Sequence, residues 1–376
     1  MTEPSPFPLV VVSGEPFERG RQYGAAASDR IARSVDLYSG QLEDLGCGWA
    51  EVRRLVDGFV PTMESYAPDL VEEMRGIAEG AGCEFAAVAL VNARTEVLQL
   101  ARRKIGLPDD DADGCTGAVI LPKASADGVI IHGQNWDWRA ECADTGIVLQ
   151  IRREDGPDLL TFTEAGGLAR NGFNAAGVAI TANYLESDRD YRALGIPLPL
   201  IRRRALESQH FAHAIRAVAT TPKSGSNNMM LSHVDGFAID LECAPDEAFA
   251  LYPEQDLLVH ANHWVSPVAL AKLKEVGISS TPDSYYRDVR VREALAARHG
   301  KLGREDLKAA LSDDFGTPYA VCRPPQPNAR GNLSATVAMV IMQPSAGIME
   351  IAPLPALNRS FTTYKLEMTP RCRDAA

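Results

Sequence analysis

The pattern of apolar and polar positions changes at about residue 114. Before that point, apolar positions recur with helical spacing in three stretches, residues 18–45, 69–80 and 85–100. The first stretch has few helix breakers and predicts one long helix or two. The third is more apolar and predicts a single helix. Residues 102–114 (RRKIGLPDDDADG) combine Gly, Pro and an acidic run, which predicts an exposed, flexible loop.

The helix predicted over residues 69–80 has a clear apolar face. It places Leu70, Met74 and Ile77 on one side, which we expect to be buried. Gly80 is expected to end this helix, because glycine commonly follows the last helical turn.

Short β-type runs follow the loop and are separated by turn signals such as SADG and NAAG. They are CTGAVIL (115–121), GVIIHGQNW (128–136), TGIVLQIRR (145–153), DLLTFTEAG (158–166) and GVAITANYL (177–185). Short connections between such runs predict an antiparallel meander.

The rest of the chain mixes both kinds of element. Helices are expected at 199–208, 211–220, 285–299 and 304–313, and strands at 229–240, 248–251, 257–260, 336–342 and 348–351. These elements come in blocks, without the regular strand–helix–strand alternation of a parallel sheet. The pattern therefore predicts an α+β protein in which helices cover at least one large antiparallel sheet.

Composition and charge narrow the function classes. Of 376 residues, 45% are hydrophobic and 23% are charged, as in an ordinary globular protein, and no apolar run reaches the about 18–20 residues of a membrane span. The net charge of −12 argues against nucleic acid as the main partner, because phosphate binding needs a basic surface. Residues 1–114 hold 11 Lys and Arg against 20 Asp and Glu (net −9), and residues 115–376 hold 27 against 30 (net −3). This difference in net charge between the two segments indicates a boundary near residue 114.

Seven cysteines are scattered along the chain, at positions 47, 83, 115, 142, 243, 322 and 372, without any Cys-x-x-Cys pair. This arrangement argues against a disulfide framework or a thiolate zinc site. The first ten residues (MTEPSPFPLV) lack the basic and apolar parts of a signal peptide, which favours the cytoplasm. The sequence has no P-loop and no Gly-x-Gly-x-x-Gly motif, and we expect no cofactor.

Cys115 has a chemical possibility that the other cysteines lack. It directly follows Gly114 at the start of the first β-run, so its sulfur can attack the Gly114 carbonyl, and glycine tolerates the strained backbone that the attack requires. An N-to-S acyl shift and hydrolysis would release a chain that begins with Cys115. The freed α-amine, with an ordinary pKa of about 7.7–8.0, can take the thiol proton. Without this context, a buried inert thiol is the commoner role.

A hairpin would bring Asp137 back to Cys115. If the runs at 115–121 and 128–136 pair antiparallel, the segment GQNWDW (133–138) returns to the start of the first run. A carboxylate there can hold and orient the cationic form of the new amine. Considered alone, Asp137 would be an ordinary turn residue after a strand.

The segment DGCTGAVILP…GQNWDW resembles the acyl-coenzyme A:6-aminopenicillanic acid acyltransferase family of N-terminal nucleophile hydrolases, with the choloylglycine (bile salt) hydrolases as wider relatives. Other blocks resemble the family in the same order. They are GEPFERGRQYG (14–24), LVEEMRGIAEGAG (70–82), FTEAGGLARNGFNAAGVAITANYL (162–185), IDLECAP (239–245), VHANHW (259–264), DSYYRDVRV (283–291) and AVCRPP (320–325). Each block alone is a weak signal, and their combination is specific.

The resemblance implies autocatalytic cleavage between Gly114 and Cys115, with Cys115 as both the processing and the catalytic nucleophile. Asp137 would contact the new α-amine. The chain would divide into a helical leading segment (1–114) and a catalytic segment (115–376), which remain together as a heterodimer and one co-folded domain. The implied fold is a four-layer αββα sandwich of two antiparallel sheets between helix layers.

Three further residues match family positions near the nucleophile. Asn262 matches a residue that orients the nucleophile and stabilises the oxyanion, and Asn183 matches an oxyanion donor of the bile salt hydrolases. Side-chain amides suit this role because they donate hydrogen bonds without titrating. Arg323 matches an arginine beside the nucleophile, where a fixed cation can favour the thiolate or bind a substrate carboxylate.

The implied function is a self-processing cysteine amidohydrolase that cleaves a linear amide bond of a small N-acyl compound through an acyl-enzyme thioester. An acyl-coenzyme A-dependent N-acyltransferase using the same cysteine is the alternative, because both reactions share the first half. Gly117 follows Cys-Thr as in the bile salt hydrolase pattern, so penicillin chemistry is not carried over. An unprocessed, non-catalytic binding protein is a second alternative.

Other conspicuous residues have simpler interpretations. Two histidine pairs have a spacing of three residues, His210 with His213 and His260 with His263. No acidic ligand stands beside either pair, and we expect no metal site. The run RRR at 202–204 is expected to be a solvated helix end. Of Trp136 and Trp138, one is expected in the core and the other beside the acyl pocket.

Overall fold

The computed structural model describes residues 5–106, 114–327 and 333–369. The helices are α1 (Pro16–Ala26), α2 (Ser28–Asp44), α3 (Trp49–Asp57), α4 (Val60–Tyr66), α5 (Pro68–Ala81), α6 (Phe85–Asn92), α7 (Arg94–Lys104), α8 (Leu198–Leu206), α9 (Phe211–Thr220), α10 (Pro267–Leu270), α11 (Ser284–Ala296) and α12 (Arg304–Leu311). The strands are β1 (Leu9–Ser13), β2 (Thr116–Ile120), β3 (Ile131–Arg139), β4 (Gly146–Arg152), β5 (Leu159–Glu164), β6 (Asn171–Asn174), β7 (Val178–Tyr184), β8 (Asn227–His233), β9 (Phe237–Cys243), β10 (Ala248–Leu251), β11 (Leu257–His260), β12 (Gln326–Pro327), β13 (Leu333–Gln343), β14 (Ile348–Pro353) and β15 (Thr362–Lys365).

Two sheets organise the described part of the chain. The first has the strand order β1-β4-β5-β6-β7-β8-β9-β10, and the second has the order β11-β2-β3-β13-β14-β15, with β12 beside β13. Strands β4 to β7 form an antiparallel meander in sequence order, as predicted, but it contains β6, which was not predicted and lies between β5 and β7. The first two β-type runs form a hairpin in the second sheet instead, because a 3₁₀ turn at Ala140–Asp144 carries the chain from β3 to β4 in the other sheet.

The apolar cores show that the sheets lie between helix layers. One core joins residues of α1 to α9 to the outer face of the first sheet. A second core lies between the sheets and contains Trp136, Phe162 and Phe173. A third joins the second sheet to α11 and α12. The order helices, sheet, sheet, helices is the four-layer αββα sandwich, and the predicted α+β class is confirmed.

The leading segment contributes a strand as well as helices. β1 pairs with β4, with Leu9 opposite Val148, and this pair is parallel, whereas the other named strand pairs are antiparallel. The expectation of a purely helical segment before residue 114 therefore missed one strand. Its five residues alternate exposed and buried, and so short a run carries little signal in a sequence.

Glycines let α1 and α5 touch along their backbones. A Cβ at Gly20 or Gly24 of α1 would overlap backbone carbonyls of α5, and one at Gly76 or Gly80 of α5 would overlap those of α1. Gly80 therefore serves helix packing inside α5 and does not end it. The end falls at Gly82, which adopts a left-handed conformation with φ 66°.

The other predicted helices are present, and the main difference is that two predicted stretches are each divided into two helices. Residues 18–45 form two helices, α1 and α2, and the stretch 85–100 divides at Ala93 into α6 and α7. Besides β1, the elements that were not predicted are helices α3, α4 and α10 and strands β6, β12 and β15. Of the loop predicted over 102–114, residues 107–113 lie outside the described residues.

Across residues 5–106, 114–327 and 333–369, no helix combines the length and the apolar character that crossing a membrane requires.

Candidate active site

The hairpin of β2 and β3 fixes the position of Asp137. The strands pair antiparallel with Thr116 opposite Asn135, which confirms the predicted pairing. Continuing this register two residues beyond the start of β2 places Gly114 opposite Asp137. The carboxylate therefore lies beside the Gly114–Cys115 bond.

The other neighbour of β2 brings in Asn262. Strand β11 pairs antiparallel with β2, with His260 opposite Gly117. Continuing this register by two residues places Asn262 opposite Cys115. Residues that are far apart in sequence thus flank the start of one central strand.

Arg170 contacts Cys115 and was not predicted from the sequence. Cys115 is 1% exposed, and Nη2 of Arg170 donates to its Sγ at 3.8 Å. The same guanidinium lies 4.1 Å from the ring centroid of Trp136, which is fully buried. A guanidinium in this position stabilises negative charge on the sulfur. The sequence offered no signal beyond the position of Arg170 within a family-like block.

Arg287 holds the backbone on both sides of the predicted cleavage point and was also missed. Its Nη1 donates to the carbonyl oxygens of Gly114 (3.1 Å) and Cys115 (2.8 Å). Its Nη2 donates to Oδ1 of Asn262 at 3.0 Å, and its Nε donates to Asp283 at 2.7 Å. The side chain is fully buried, so this set of bonds fixes the geometry around the bond.

Arg323 explains why residue 114 is glycine. A Cβ at Gly114 would overlap the guanidinium of Arg323, lying only 2.7 Å from its Nε. The close approach of this guanidinium leaves no room for a side chain at residue 114. Arg323 also forms ion pairs with Asp137, at 3.1 Å, and with Asp283.

Asp137 is fully buried between cations and a hydroxyl group. Burial raises its pKa to about 6, although the guanidinium groups of Arg323 and Arg287 oppose this shift. Thr336, its neighbour in β13, donates from Oγ1 to Oδ1 at 2.6 Å. The carboxyl group can therefore change its protonation near neutral pH, which suits a group that exchanges protons with an amine.

Asn183 belongs to β7 and reaches from the first sheet to the second. Its Nδ2 donates to the carbonyl oxygens of His260 and Ala261, each at 2.9 Å, and its Oδ1 accepts from Gln134. Both amide hydrogens thus hold the segment that leads to Asn262. Its role as an oxyanion donor stays a prediction.

Asn262 is tied down from three sides. Its Nδ2 donates to the carbonyl of Tyr184 at 2.9 Å, its Oδ1 accepts from Arg287, and its backbone N–H donates to Ser284 at 2.7 Å. Within the described residues Nδ2 has this one acceptor, so a second amide hydrogen is available to a substrate oxygen.

His260 supports this segment through a buried ionic network. Its Nε2 lies 2.8 Å from Glu242 and 4.0 Å from Asp240. Burial alone would lower its pKa, but the two carboxylates outweigh burial and raise it to about 9. His263 stacks on His260, with 6.2 Å between ring centroids. In the part of the chain that the structure describes, no group of three His, Cys, Asp or Glu residues is arranged to hold a metal ion.

A pocket of about 590 Å³, including open solvent at its mouth, lies next to Arg170, the residue that contacts the Cys115 sulfur. Arg170 and Asn183 line it together with residues of α6, α7 and α8 and of β5 and β7. Because Arg170 also touches the Cys115 sulfur, it lies between the pocket and Cys115. The tryptophan expectation is refined here, since Trp136 is in the core under Arg170 and Trp138 is half-buried against Arg94.

A sequence model of the family described as acyl-coenzyme A:6-aminopenicillanic acid acyl-transferase matches residues 124–352, more than half of the chain. The chain belongs to this family. The matched range contains Asp137, Asn183, Asn262 and Arg323, and it begins after Cys115. The family predicted from the motifs is thereby confirmed.

Similar proteins were found by sequence and by structure. The 40 kDa form of acyl-coenzyme A:6-aminopenicillanic-acid-acyltransferase of Emericella nidulans is 28% identical over 316 residues, 84% of each chain. A conjugated bile acid hydrolase from Clostridium perfringens has a TM-score of 0.48 at 13% identity, over 67% of this chain and 92% of that one. Penicillin V acylase from Agrobacterium tumefaciens has a TM-score of 0.46 at 14% identity, over 67% and 86%. The four-layer fold described above rests on the strand pairing of this chain itself.

Proposed function

We propose that this protein is a self-processing cysteine amidohydrolase that cleaves a linear amide bond in a small N-acyl compound. The observation that carries the proposal is the arrangement around one peptide bond. The carbonyl before Cys115 is held by Arg287, and the Gly114 Cα lies against Arg323. A hydrogen-bond donor on a carbonyl oxygen next to a buried thiol suits attack on that carbonyl.

Self-cleavage would proceed through a thioester. Sγ of Cys115 attacks the carbonyl carbon of Gly114, and Arg287 stabilises the negative charge that develops on the oxygen. The C–N bond breaks, and the nitrogen takes the thiol proton. Water then adds to the thioester, which leaves a carboxylic acid on Gly114 and a free amine and thiol on Cys115.

The same groups would serve the mature enzyme. The amine of Cys115 takes the thiol proton, and Asp137, opposite Gly114 and ion-paired to Arg323, orients the resulting ammonium group. The thiolate attacks the substrate amide, and the amine leaves with a proton from the α-ammonium group. Asn262 is the proposed oxyanion donor, whereas Asn183 would have to release the carbonyl of His260 or Ala261 to act as a second donor. Water then hydrolyses the acyl-enzyme thioester.

Acyl transfer is the second candidate, and family membership favours it. The matching family and the relative from Emericella nidulans are both described by an acyl-coenzyme A-dependent transfer. Transfer and hydrolysis share the acyl-enzyme and differ only in the acceptor, an amine or water. We favour hydrolysis, because water is always present as an acceptor.

A denaturing gel with intact mass analysis tests self-processing. In proportion to residue number, the 40.6 kDa chain should give fragments of about 12 and 28 kDa, the larger beginning with Cys115. Cys115→Ala should stay whole and inactive. Cys142→Ala is the matched control, because Cys142 is also buried in the core between the sheets, and it should be cleaved. A wild-type chain that stays whole indefinitely contradicts the proposal and favours the unprocessed binding protein.

A substrate test separates hydrolysis from transfer. Release of the acyl group is followed from N-acyl amides and from acyl-coenzyme A, each with and without an added amine. Hydrolysis predicts amide cleavage without the amine. Thioester consumption that strictly requires the amine would instead assign the protein as an acyltransferase.

A further inference from the structure

The run RRR at 202–204 differs from its sequence expectation, which was a solvated helix end. The three side chains leave α8 in different directions. Arg203 is fully buried and pairs with Glu73 through two hydrogen bonds of 2.7 and 3.0 Å, and Arg204 pairs with Asp69 and Glu207. Arg202 is only 6% exposed and lines the pocket next to Arg170.

Arg202 lacks the ion pair that its two neighbours have. Among the described residues none forms a hydrogen bond or an ion pair with its guanidinium, and its Nε is buried without a partner. Burial and the like charges of Arg170 and Arg94 lower the pKa of Arg202 to about 9, although Glu96 opposes the shift. A buried cation without a partner is costly, so an anion from outside the protein would be strongly stabilised here.

The other charged residues of the pocket do not provide a counter-ion for Arg202. Arg94 is neutralised by Glu164, with 2.8 Å between Nε and Oε2. Glu96 accepts a backbone hydrogen bond from Leu198 at 3.3 Å and forms no ion pair with Arg202 among the described residues. Among the described residues that line the pocket, three arginines stand against two glutamates, an excess of one positive charge.

We propose that Arg202, together with Arg170, binds a carboxylate of the substrate, so that the preferred N-acyl compounds carry one free carboxylate near the scissile bond. The proposal rests on the function proposed above. Arg170 links the two parts, because it lines this pocket and also touches the Cys115 sulfur. One excess positive charge matches a carboxylate better than a doubly charged phosphate. The planar guanidinium also matches carboxylate geometry.

A binding experiment tests the subsite without requiring turnover. Titration calorimetry measures the dissociation constants of 3-phenylpropanoate, its neutral amide and phenyl phosphate with the purified wild-type protein. The carboxylate should bind at least about tenfold more tightly than the amide, since a charged hydrogen bond is lost in the amide. Equal binding of acid and amide, or tighter binding of phenyl phosphate, overturns the assignment.

Variants of α8 identify the residue responsible. Arg202→Met should lower the acid-to-amide preference about 10- to 100-fold, and Arg202→Lys should restore part of it. Arg204→Gln is the matched control on the same helix and should keep the preference. Because Arg202 has no ion pair in the unliganded protein, Arg202→Met should not lower the Tm. A lower Tm, or an unchanged preference, contradicts the proposal.

Paired substrates distinguish this inference from the proposed function. In the first pair, glutaryl p-nitroanilide carries a carboxylate on the acyl side of the scissile bond and pentanoyl p-nitroanilide has none. In the second pair, pentanoylglycine carries a carboxylate on the amine side and pentanoylglycine amide has none. The subsite is supported if, in either pair, the wild-type protein has the higher kcat/KM for the carboxylate compound and this preference is smaller in Arg202→Met. Equal cleavage within both pairs refutes the subsite and leaves the function standing. Selective carboxylate binding without cleavage of any pair refutes the function and leaves the subsite standing.

Discussion

Arg287 offers the sharpest test of self-cleavage, because it holds the carbonyl that the thiol is proposed to attack. The perturbation is Arg287→Met, which keeps a long side chain and removes every donor. Of the bonds that are lost, the one to the Gly114 oxygen (3.1 Å) strengthens during the reaction, since this oxygen gains negative charge. The bonds to Asp283, Cys115 and Asn262 are present before and during the reaction, so their loss mainly affects folding.

The two effects have different sizes and can be separated. Removing one oxyanion donor costs about 10²–10³ in rate. Removing one partner of a buried ion pair costs about 3–5 kcal/mol of folding stability. Asp283 keeps its second ion pair with Arg323, so we expect the lower end of that range. A domain of ordinary stability, about 5–15 kcal/mol, then stays folded at 25 °C.

The assay is a timed cell-free translation. Synthesis is stopped after a few minutes, and the fraction of intact chain is followed on denaturing gels. Arg290→Met is the matched control, since Arg290 lies on the same helix, is 39% exposed and pairs with Asp313 away from the cleavage point. Melting curves in a Cys115→Ala background report folding of both variants. A folded Arg287→Met chain that cleaves as fast as the Arg290→Met chain refutes the role of Arg287.

Three further changes test the site and the fold around it. Gly114→Ala should stop self-cleavage, because its Cβ would displace the guanidinium of Arg323, and cleavage at the wild-type rate on a timed gel contradicts this steric argument. Gly76→Ala should lower the free energy of unfolding in urea by about 1–3 kcal/mol, because its Cβ would meet the backbone of α1, and an unchanged midpoint speaks against that contact. Raising the pH from about 6.5 to 9 should remove on the order of 1–3 kcal/mol of stability as His260, with its raised pKa, loses its proton. Glu242→Gln should flatten this loss, and a wild-type stability that rises across the window contradicts the pairing.

The sequence was sufficient to predict which residues lie close together when they are near in sequence or are aligned by strand pairing. The β2–β3 hairpin follows from two β-runs and a short turn, and it places Asp137 beside the Gly114–Cys115 bond. The family-like blocks predicted that Asn262 and Arg323 lie near the same bond. In the structure, Arg323 lies against Gly114, and Asn262 accepts a hydrogen bond from Arg287. Such relations need only residue spacing and motif order.

The arginines around the site could not be predicted in the same way. Arg202 lies on α8, Arg287 lies on α11, and Arg170 lies in the connection between β5 and β6. Their guanidinium groups come together only when the layers pack. In a sequence, an arginine in a helix is most simply read as solvated, and the run at 202–204 shows the error. Only the partner of each guanidinium, or its absence, separates a structural arginine from one that binds a ligand.

The boundary at residue 114 has a physical consequence for the cleaved protein. Both proposed fragments are acidic, with net charges of −9 and −3, so overall electrostatics would push them apart. What joins them is burial and specific pairing. β1 is hydrogen-bonded to β4, helices of the leading segment cover the first sheet, and the buried pairs Arg203–Glu73 and Arg94–Glu164 cross the boundary. Cutting one bond at the start of β2 removes none of these contacts, so cleavage would free the amine of Cys115 while the core stays intact.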